Sequence, residues 1–168
     1  MKSDVIVIGA GAAGLMCAIE AGKRGRSVII LDHASKIGQK ILVSGGGRCN
    51  FTNLHIQAEN YLSANPHFCK SALARFTPQD FIAMVKKHRI SYQEKENGCI
   101  FCNGSSRQIV DMFQKECDSA GVKMRLNCKI QEITKKRRFI VKTNSGVIES
   151  ESLVVATGGL SYPNLGAT

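Results

Sequence analysis

The sequence has no tryptophan, and aromatic residues make up only 6% of it. Proteins that bind single-stranded nucleic acids stack the bases on aromatic rings set among basic residues. The scarcity of aromatics therefore argues against such a site, in spite of a net charge of +10. The sequence also lacks any apolar run near the roughly 18 residues that a membrane helix requires. We expect neither a nucleic-acid partner nor a membrane contact.

The features of a secretion signal are missing as well. The apolar stretch 5–10 follows a single lysine, without the longer apolar core and small-residue cleavage site of a signal peptide. We interpret it as a buried strand and expect a cytoplasmic protein, whose seven cysteines are free thiols. Cys99 and Cys102 have the spacing of a redox or metal pair. No second pair and no histidine at ligand spacing completes a metal site, so we predict none.

The basic residues outnumber the acidic ones by 23 to 13, but they are scattered. Their one dense cluster, Lys135–Arg138, lies between two runs typical of strands, and this pattern predicts a solvated hairpin turn. A positive field for an anionic cofactor accounts for part of the excess. Nucleic-acid binding is the more distant alternative, and a salt-dependent DNA shift would reveal it.

The first 32 residues have the pattern of a β-α-β unit. Residues 4–8 and 27–31 are apolar runs typical of strands buried on both faces. Between them lie a glycine-rich turn, residues 9–14, and a helix whose apolar residues recur at helical spacing. The helix ends with basic residues and Gly25, which is a common helix stop.

The turn between the first strand and the helix matches the dinucleotide-binding fingerprint GxGxxG. Gly9 permits a tight turn, Gly11 lets a diphosphate approach the backbone, and Gly14 lets the helix lie against the strand. The amides of Ala12 and Ala13 then direct the positive end of a helix at negative charge.

An acidic residue, Asp32, follows Gly14 by 18 positions, at the end of the second strand. A carboxylate there accepts hydrogen bonds from the adenosine ribose and repels a 2′-phosphate. Asp32 is therefore expected to bind the ribose of a dinucleotide other than NADP.

The remaining chain is predicted as a helical insertion at 35–120, a third core strand and a β-meander at 129–151. We predict helices at 66–76, 78–87 and 106–120, a strand pair at 90–93 and 99–101, a core strand at 123–126, meander strands at 129–133, 139–143 and 147–151, and a last strand at 153–156. An NAD domain would reach its third strand much sooner. Flavoproteins resembling glutathione reductase have this order, which favours FAD.

A glycine run after the second strand is the most distinctive stretch. Three consecutive glycines cost backbone entropy and suggest a main chain that passes close to a ligand. Neighbouring side chains could neutralise a diphosphate or face a flavin. The candidate cofactor contacts of this stretch are Gln39, Lys40, Ser44, Gly45, Gly46, Gly47, Arg48 and Asn50, and further along the chain they are Ile130, Thr157 and Gly158.

Three segments, GAGAAG, GQKILVSGGGRCNFTN and ATGGLSYPNLGAT, resemble the bacterial BaiN/RdsA-type NAD(P)/FAD-dependent oxidoreductases, once labelled the aminoacetone oxidase family. The resemblance runs along the whole chain. It implies the N-terminal part of an α/β, Rossmann-like FAD-binding domain of the glutathione-reductase type, truncated here. The FAD contacts that it implies are Ala13, Asp32, Gln39, Lys40, Gly45 and Ile130.

The function expected from this resemblance is flavin-mediated electron or hydride transfer to an unidentified small molecule, with NAD(P)H as a candidate electron donor. No residue of the chain qualifies as a catalytic acid or base. Cys49 lies near the position of redox cysteines in flavin disulfide reductases, but Leu54 replaces the second cysteine, so we expect a packed thiol. The alternative is a truncated, non-catalytic lobe that binds the cofactor weakly or not at all.

Overall fold

The computed structural model describes residues 1–160, 162 and 165. The chain divides into two compact units, the first formed by residues 1–41 and 113–168 and the second by residues 42–112. The helices are α1 (Ala12–Lys23), α2 (Gln39–Val43), α3 (Lys70–Arg75), α4 (Pro78–Lys87) and α5 (Arg107–Ser119). The strands are β1 (Lys2–Ile8), β2 (Val28–Leu31), β3 (Asn50–Asn53), β4 (Tyr92–Glu94), β5 (Cys99–Cys102), β6 (Lys123–Arg125), β7 (Ile130–Lys135), β8 (Phe139–Thr143) and β9 (Gly146–Val155).

The first unit is built on a mixed six-stranded sheet with the order β6-β2-β1-β9-β8-β7. Strands β6, β2, β1 and β9 are parallel, while β7, β8 and β9 form an antiparallel meander. All four residues of β2 are buried, as expected for a parallel strand covered on both faces. The Rossmann-like α/β fold predicted from the sequence is confirmed.

The apolar side chains of the meander pack against those of the parallel strands. Val141 and Ile148 are fully buried in one cluster with β1 and β2 side chains. The other members of this cluster are Ile6, Ile8, Ile29, Leu31 and Cys128. The carboxyl ends of β1 and β2 lie beside each other, because Ile8 pairs with Leu31 in the parallel register.

Helix α1 packs closely because small residues face its neighbours. A Cβ atom on Gly22 would lie 2.5 Å from the carbonyl oxygen of Ala120. Leu15 and Ile19, on the buried face, are fully inaccessible to solvent. The helix ends before Gly25, whose φ of 74° lies in the left-handed region that glycine adopts readily.

Two sequence predictions for the strands and helices require correction. The predicted strands 147–151 and 153–156 form the single strand β9, which pairs with β8 through its first half and with β1 through its second. The predicted helix 66–76 is shortened to α3. There the side chain of Asn65 accepts a hydrogen bond from the His67 backbone at 3.0 Å, and this local turn competes with helix.

The second unit contains a three-stranded antiparallel sheet with the order β3-β5-β4. The predicted strand pair appears as β4 and β5, and β3 was not predicted. Helix α4 has the predicted bounds. Thr77 and Asp80 form a reciprocal capping box at its start, and their hydrogen bonds hold the pKa of Asp80 below its usual value. No helix among the described residues is long and apolar enough to cross a membrane.

Candidate functional site

The turn between β1 and α1 requires glycine at two positions for packing reasons. Gly9 has a φ of 108°, and a Cβ atom there would collide with the carbonyl oxygen of Ala156 at the end of β9. A Cβ atom on Gly14 would collide with the carbonyl oxygen of Gly9. The two glycines therefore bring β1, β9 and α1 into backbone contact; the close approach of α1 to β1 is as the sequence predicts, and the contact with β9 is additional.

Gly11 differs from these two glycines because a Cβ atom there would have no atom of the described residues within 4 Å. Its φ of −82° is also accessible to any residue. Packing against the part of the chain that the structure describes therefore does not explain the absence of a side chain at Gly11. The open space beside it is where a ligand could approach the backbone.

The N-terminus of α1 opens into the same space. Gly11 is the N-cap and offers no side chain to the free amides, and Ala12 and Ala13 are exposed. The first amides of a helix have no intrahelical partner and carry the positive end of the helix dipole. The site therefore attracts an anion such as a phosphate.

Asp32 is held in a fixed orientation by backbone amides. The Ala10 N–H donates to its Oδ2 at 2.6 Å, and the Ala34 N–H donates to its Oδ1 at 2.8 Å. The side chain keeps 14% of its exposure, and the Nδ1 of His33 lies 3.5 Å from its Oδ1. Each carboxylate oxygen can accept a second hydrogen bond, so the group remains able to bind a ligand hydroxyl.

These features meet in a cleft of about 220 Å³ at the carboxyl ends of the parallel strands. In an α/β sheet this edge is the usual ligand site. Of the predicted residues, the cleft brings together Gly9, Gly11, Ala12, Ala13, Asp32, Gln39, Lys40, Thr157 and Gly158. Gly14 does not line the cleft but packs against the Gly9 carbonyl within the turn. Within this wall the Lys40 Nζ donates to the carbonyl oxygen of Gly159.

A second cavity of about 140 Å³ contains the predicted Ile130. It shares Gly9, Asp32 and Thr157 with the main cleft, and Cys128 also lines it. The Cys128 N–H donates to the carbonyl oxygen of Asp32 at 2.8 Å, which fixes the start of the meander beside the carboxylate. Ile130 and Asp32 therefore line the same cavity.

Several lining residues were not predicted from the sequence. They are Ala10, His33, Ala34, Lys36, Gly38, Ile41, Ala156 and Leu165. Gly38 donates its N–H to the carbonyl oxygen of Ala10 at 2.8 Å and has a φ of 66°. A glycine shortly after a strand-end acid was the available signal for this contact.

The glycine run lies in the second unit, where Ser44–Gly47 forms a 3-10 turn. Its three glycines have positive φ values of 57°, 64° and 83°. A Cβ atom on Gly45 would lie 2.8 Å from the Phe101 ring, so packing within the unit already excludes a side chain there. A Cβ atom on Gly46 or Gly47 would have no atom within 4 Å in residues 1–160, 162 and 165.

The polar residues around this turn have distinct environments. Arg48 and Asn50 are exposed, and in the orientation that satisfies its amide Asn50 donates to the carbonyl oxygens of Ile100 and Thr52. Burial raises the pKa of the Cys49 thiol above its usual value, and a hydrogen bond with Ser44 offsets part of this rise. A ligand role for Ser44, Gly45, Gly46, Gly47, Arg48 and Asn50 stays a prediction.

Two cysteines of the second unit, Cys49 and Cys102, are packed thiols whose pKa is raised by burial. Cys49 is 4% exposed, and burial raises the pKa of Cys102 to about 11. Cys99 and Cys102 lie on opposite faces of β5, as burial alternates along this strand. Among the described residues, no group of three histidine, cysteine or acidic side chains could hold a metal ion.

The fold and the cleft together define a Rossmann-type dinucleotide-binding domain, with a glycine turn, a helix N-terminus and a strand-end acid at one edge of the sheet. A family profile described as the HI0933-like protein Rossmann domain matches residues 3–168. The chain belongs to this family.

Two relatives in the family are similar over nearly the whole chain. The ribosomal RNA dihydrouridine synthase of Escherichia coli (strain K12) is 52% identical over 168 residues, covering 99% of this chain and 42% of the relative. The enzyme of the same name from Haemophilus influenzae is 51% identical over 171 residues, covering 99% of this chain and 43% of the relative. The chain thus spans about two fifths of the length of these relatives.

Solved structures share the fold at low sequence identity. A 3-ketosteroid-Δ4-(5α)-dehydrogenase from Rhodococcus jostii RHA1 aligns with a TM-score of 0.67 and 14% identity, over 95% of this chain and 46% of that one. At this identity the likeness concerns the fold alone.

Proposed function

We propose that the first unit binds FAD. The observation that carries this proposal is the cleft in which Gly11 leaves open space beside the exposed start of α1 while Asp32 is oriented by two amides. The open space fits a diphosphate, and the carboxylate fits the adenosine ribose. FAD rather than NAD is supported by the β-meander that precedes the end of β9, an arrangement typical of flavoproteins resembling glutathione reductase.

We further propose that the protein reduces a uridine of ribosomal RNA to dihydrouridine. The support is the 52% identity with an enzyme named ribosomal RNA dihydrouridine synthase, along 99% of this chain. This proposal replaces the small-molecule substrate expected from the sequence and its expected lack of a nucleic-acid partner. Neither expectation is tested by the fold.

The reaction adds two electrons and two protons across the 5,6 double bond of the pyrimidine, and a bound flavin supplies the electron pair. The described residues of the first unit hold the cofactor rather than move protons. The start of α1 offsets the diphosphate charge, Asp32 fixes the ribose, and Lys40 adds positive charge at the wall of the cleft. Orientation of the cofactor is their contribution to catalysis.

The proposal is tested in cells that lack the gene. Ribosomal RNA is digested to nucleosides, and dihydrouridine is measured by mass spectrometry. We expect the full-length gene to restore a dihydrouridine that is absent without it, and Asp32→Ala to restore less. Equal dihydrouridine with and without the gene would contradict the RNA substrate.

A truncated, non-catalytic lobe is the alternative that the sequence leaves open. It predicts that the 168-residue chain binds FAD weakly or not at all and, when supplied with NAD(P)H and unmodified ribosomal RNA, oxidises no nicotinamide and forms no dihydrouridine. A full-length protein that oxidises NAD(P)H only in the presence of a small-molecule acceptor would instead support the substrate class expected from the sequence.

A further inference from the structure

The β7–β8 hairpin concentrates positive charge to an unusual degree. Residues 129–142, here called the basic hairpin, contain six of the 23 lysines and arginines and a single acidic residue, Glu132. The six cations are Lys129, Lys135, Lys136, Arg137, Arg138 and Lys142. All of them except Arg138 are exposed, so the charge is directed at solvent.

Two cations of the basic hairpin, Lys135 and Arg138, have side-chain partners within the unit, whereas Lys136 and Arg137 lie at its tip. Arg138 pairs with Glu151 at 2.8 Å, and Lys135 lies over the Phe139 ring at 4.6 Å. Glu132 lies opposite Lys142 in the register of the two strands. Lys136 and Arg137 occupy the exposed turn, which the Lys136 N–H closes by donating to the carbonyl oxygen of Arg138 at 3.0 Å.

Protection of an edge strand does not explain this tip. Strand β7 is the last strand in the sheet order, and lysines on such an edge discourage pairing with other chains. That role belongs to cations within the strand ladder, such as Lys135. Lys136 and Arg137 lie beyond the ladder, where they block no strand pairing. Two adjacent cations in an exposed turn instead suit a polyanion, and the arginine fork matches a phosphate.

We propose that the basic hairpin binds the phosphate backbone of the RNA substrate, with Lys136 and Arg137 as its main contacts. The inference rests on the proposed function, because ribosomal RNA is the polyanion that the relatives' name identifies. Contacts to phosphates supply affinity without sequence preference. The basic hairpin therefore strengthens RNA binding, while the choice of uridine is made elsewhere.

The test compares two double variants of the full-length protein. Lys136→Ala, Arg137→Ala removes the tip, and Lys70→Ala, Lys86→Ala removes two exposed cations of the second unit as a charge-matched control. Binding to ribosomal RNA transcribed in vitro is measured from 50 to 300 mM salt, at about three concentrations. Flavin content and unfolding are recorded for each variant, so that a folding defect is recognised.

We expect the tip variant to flatten the slope of log K against log salt by about 1.4 to 1.8, the value of two lost phosphate contacts. The control should leave the slope within about 0.5 of the wild type. The charge-retaining variant Lys136→Arg, Arg137→Lys should keep the full slope. An unchanged slope in the tip variant, or an equal flattening in the control, would overturn the inference.

The dihydrouridine formed in the same RNA separates this inference from the proposed function. If the wild type forms dihydrouridine while the tip variant keeps the wild-type salt slope, the inference alone is contradicted. If the wild type forms no dihydrouridine while the tip variant shows the predicted flattening of the salt slope, the proposed function is contradicted and the RNA-binding surface is supported.

Discussion

Replacement of Asp32 by alanine should weaken FAD binding strongly while leaving the fold intact. The carboxylate accepts N–H donors from Ala10 and Ala34 and retains one acceptor position on each oxygen. Two charge-assisted hydrogen bonds to the ribose, at about 1.5–3 kcal/mol each, amount to about 3–6 kcal/mol. At about 1.4 kcal/mol per factor of ten, the dissociation constant should rise by at least about a hundredfold.

The assay is titration of the deflavinated full-length protein, followed by quenching of flavin fluorescence. Asp4→Ala is the matched control, because Asp4 also accepts a backbone N–H, from Ser27 at 2.8 Å, but lies at the opposite end of β1 from the cleft. Its FAD affinity should equal that of the wild type. An Asp32→Ala protein that is folded and binds FAD within a factor of about three of wild type would refute the ribose role, since that ratio is below the value of one such bond.

Four further predictions concern the glycines and the thiols. Gly11→Ala should lower FAD affinity at least about tenfold at a cost below about 1 kcal/mol in unfolding free energy, because its methyl group enters open space. Gly14→Ala should instead lower the unfolding free energy by about 1–3 kcal/mol, since its methyl group meets the Gly9 carbonyl. Denaturant unfolding measures the change in stability of both variants. Burial raises the pKa of Cys102 to about 11 and that of Cys117 to about 12, above the ordinary value of 9.0. Above pH 9 the folded state therefore keeps thiol protons that the unfolded state releases. The unfolding free energy should fall as the pH rises above 9. Cys117→Ala should reduce this loss of stability. If the difference in unfolding free energy between this variant and the wild type did not change with pH, the buried thiol would not be the cause of the loss. Cys99→Ser with Cys102→Ala should keep full flavin content and turnover, because the two side chains lie on opposite faces of β5; loss of turnover in the folded variant would assign the pair a redox role.

The sequence predicted the first unit well because its signals are local. The spacing from Gly9 to Asp32 defines a strand, a turn, a helix and a second strand, and the structure contains all four at nearly these bounds. Gly14 and Gly9 also have the packing roles that the motif implies. Such positions are predictable since the chain itself, without a ligand, requires their residue types.

The second unit was predicted less well because its structure depends on contacts between distant residues. Strand β3 consists of two asparagines, which are depleted in strands, with a phenylalanine and a threonine, which are enriched, so its composition does not predict a strand. It forms because Asn53 and Thr52 pair with Cys99 and Ile100, almost fifty positions further along. Such pairing has no local pattern from which it could be predicted.

The glycine run illustrates the limit of arguing from composition. Its three glycines resemble one another in the sequence, yet Gly45 is constrained by the Phe101 ring whereas the positions of Gly46 and Gly47 adjoin open space. At Gly46 and Gly47 the positive φ values favour glycine, but packing against the described residues does not require it. Similarly, the pattern around Lys135–Arg138 predicted the turn correctly but did not distinguish a solvated turn from a binding surface.

The measurement that tests the central proposal most directly is the identity of the nucleotide released from the purified full-length protein. The protein is denatured, and the supernatant is analysed by chromatography and mass spectrometry against protein concentration. We expect FAD, at about one molecule per chain, since the proposed role of the glycine turn and Asp32 is to bind the diphosphate and adenosine that FMN lacks. Release of FMN, of NADP or of no nucleotide from a folded protein would contradict it.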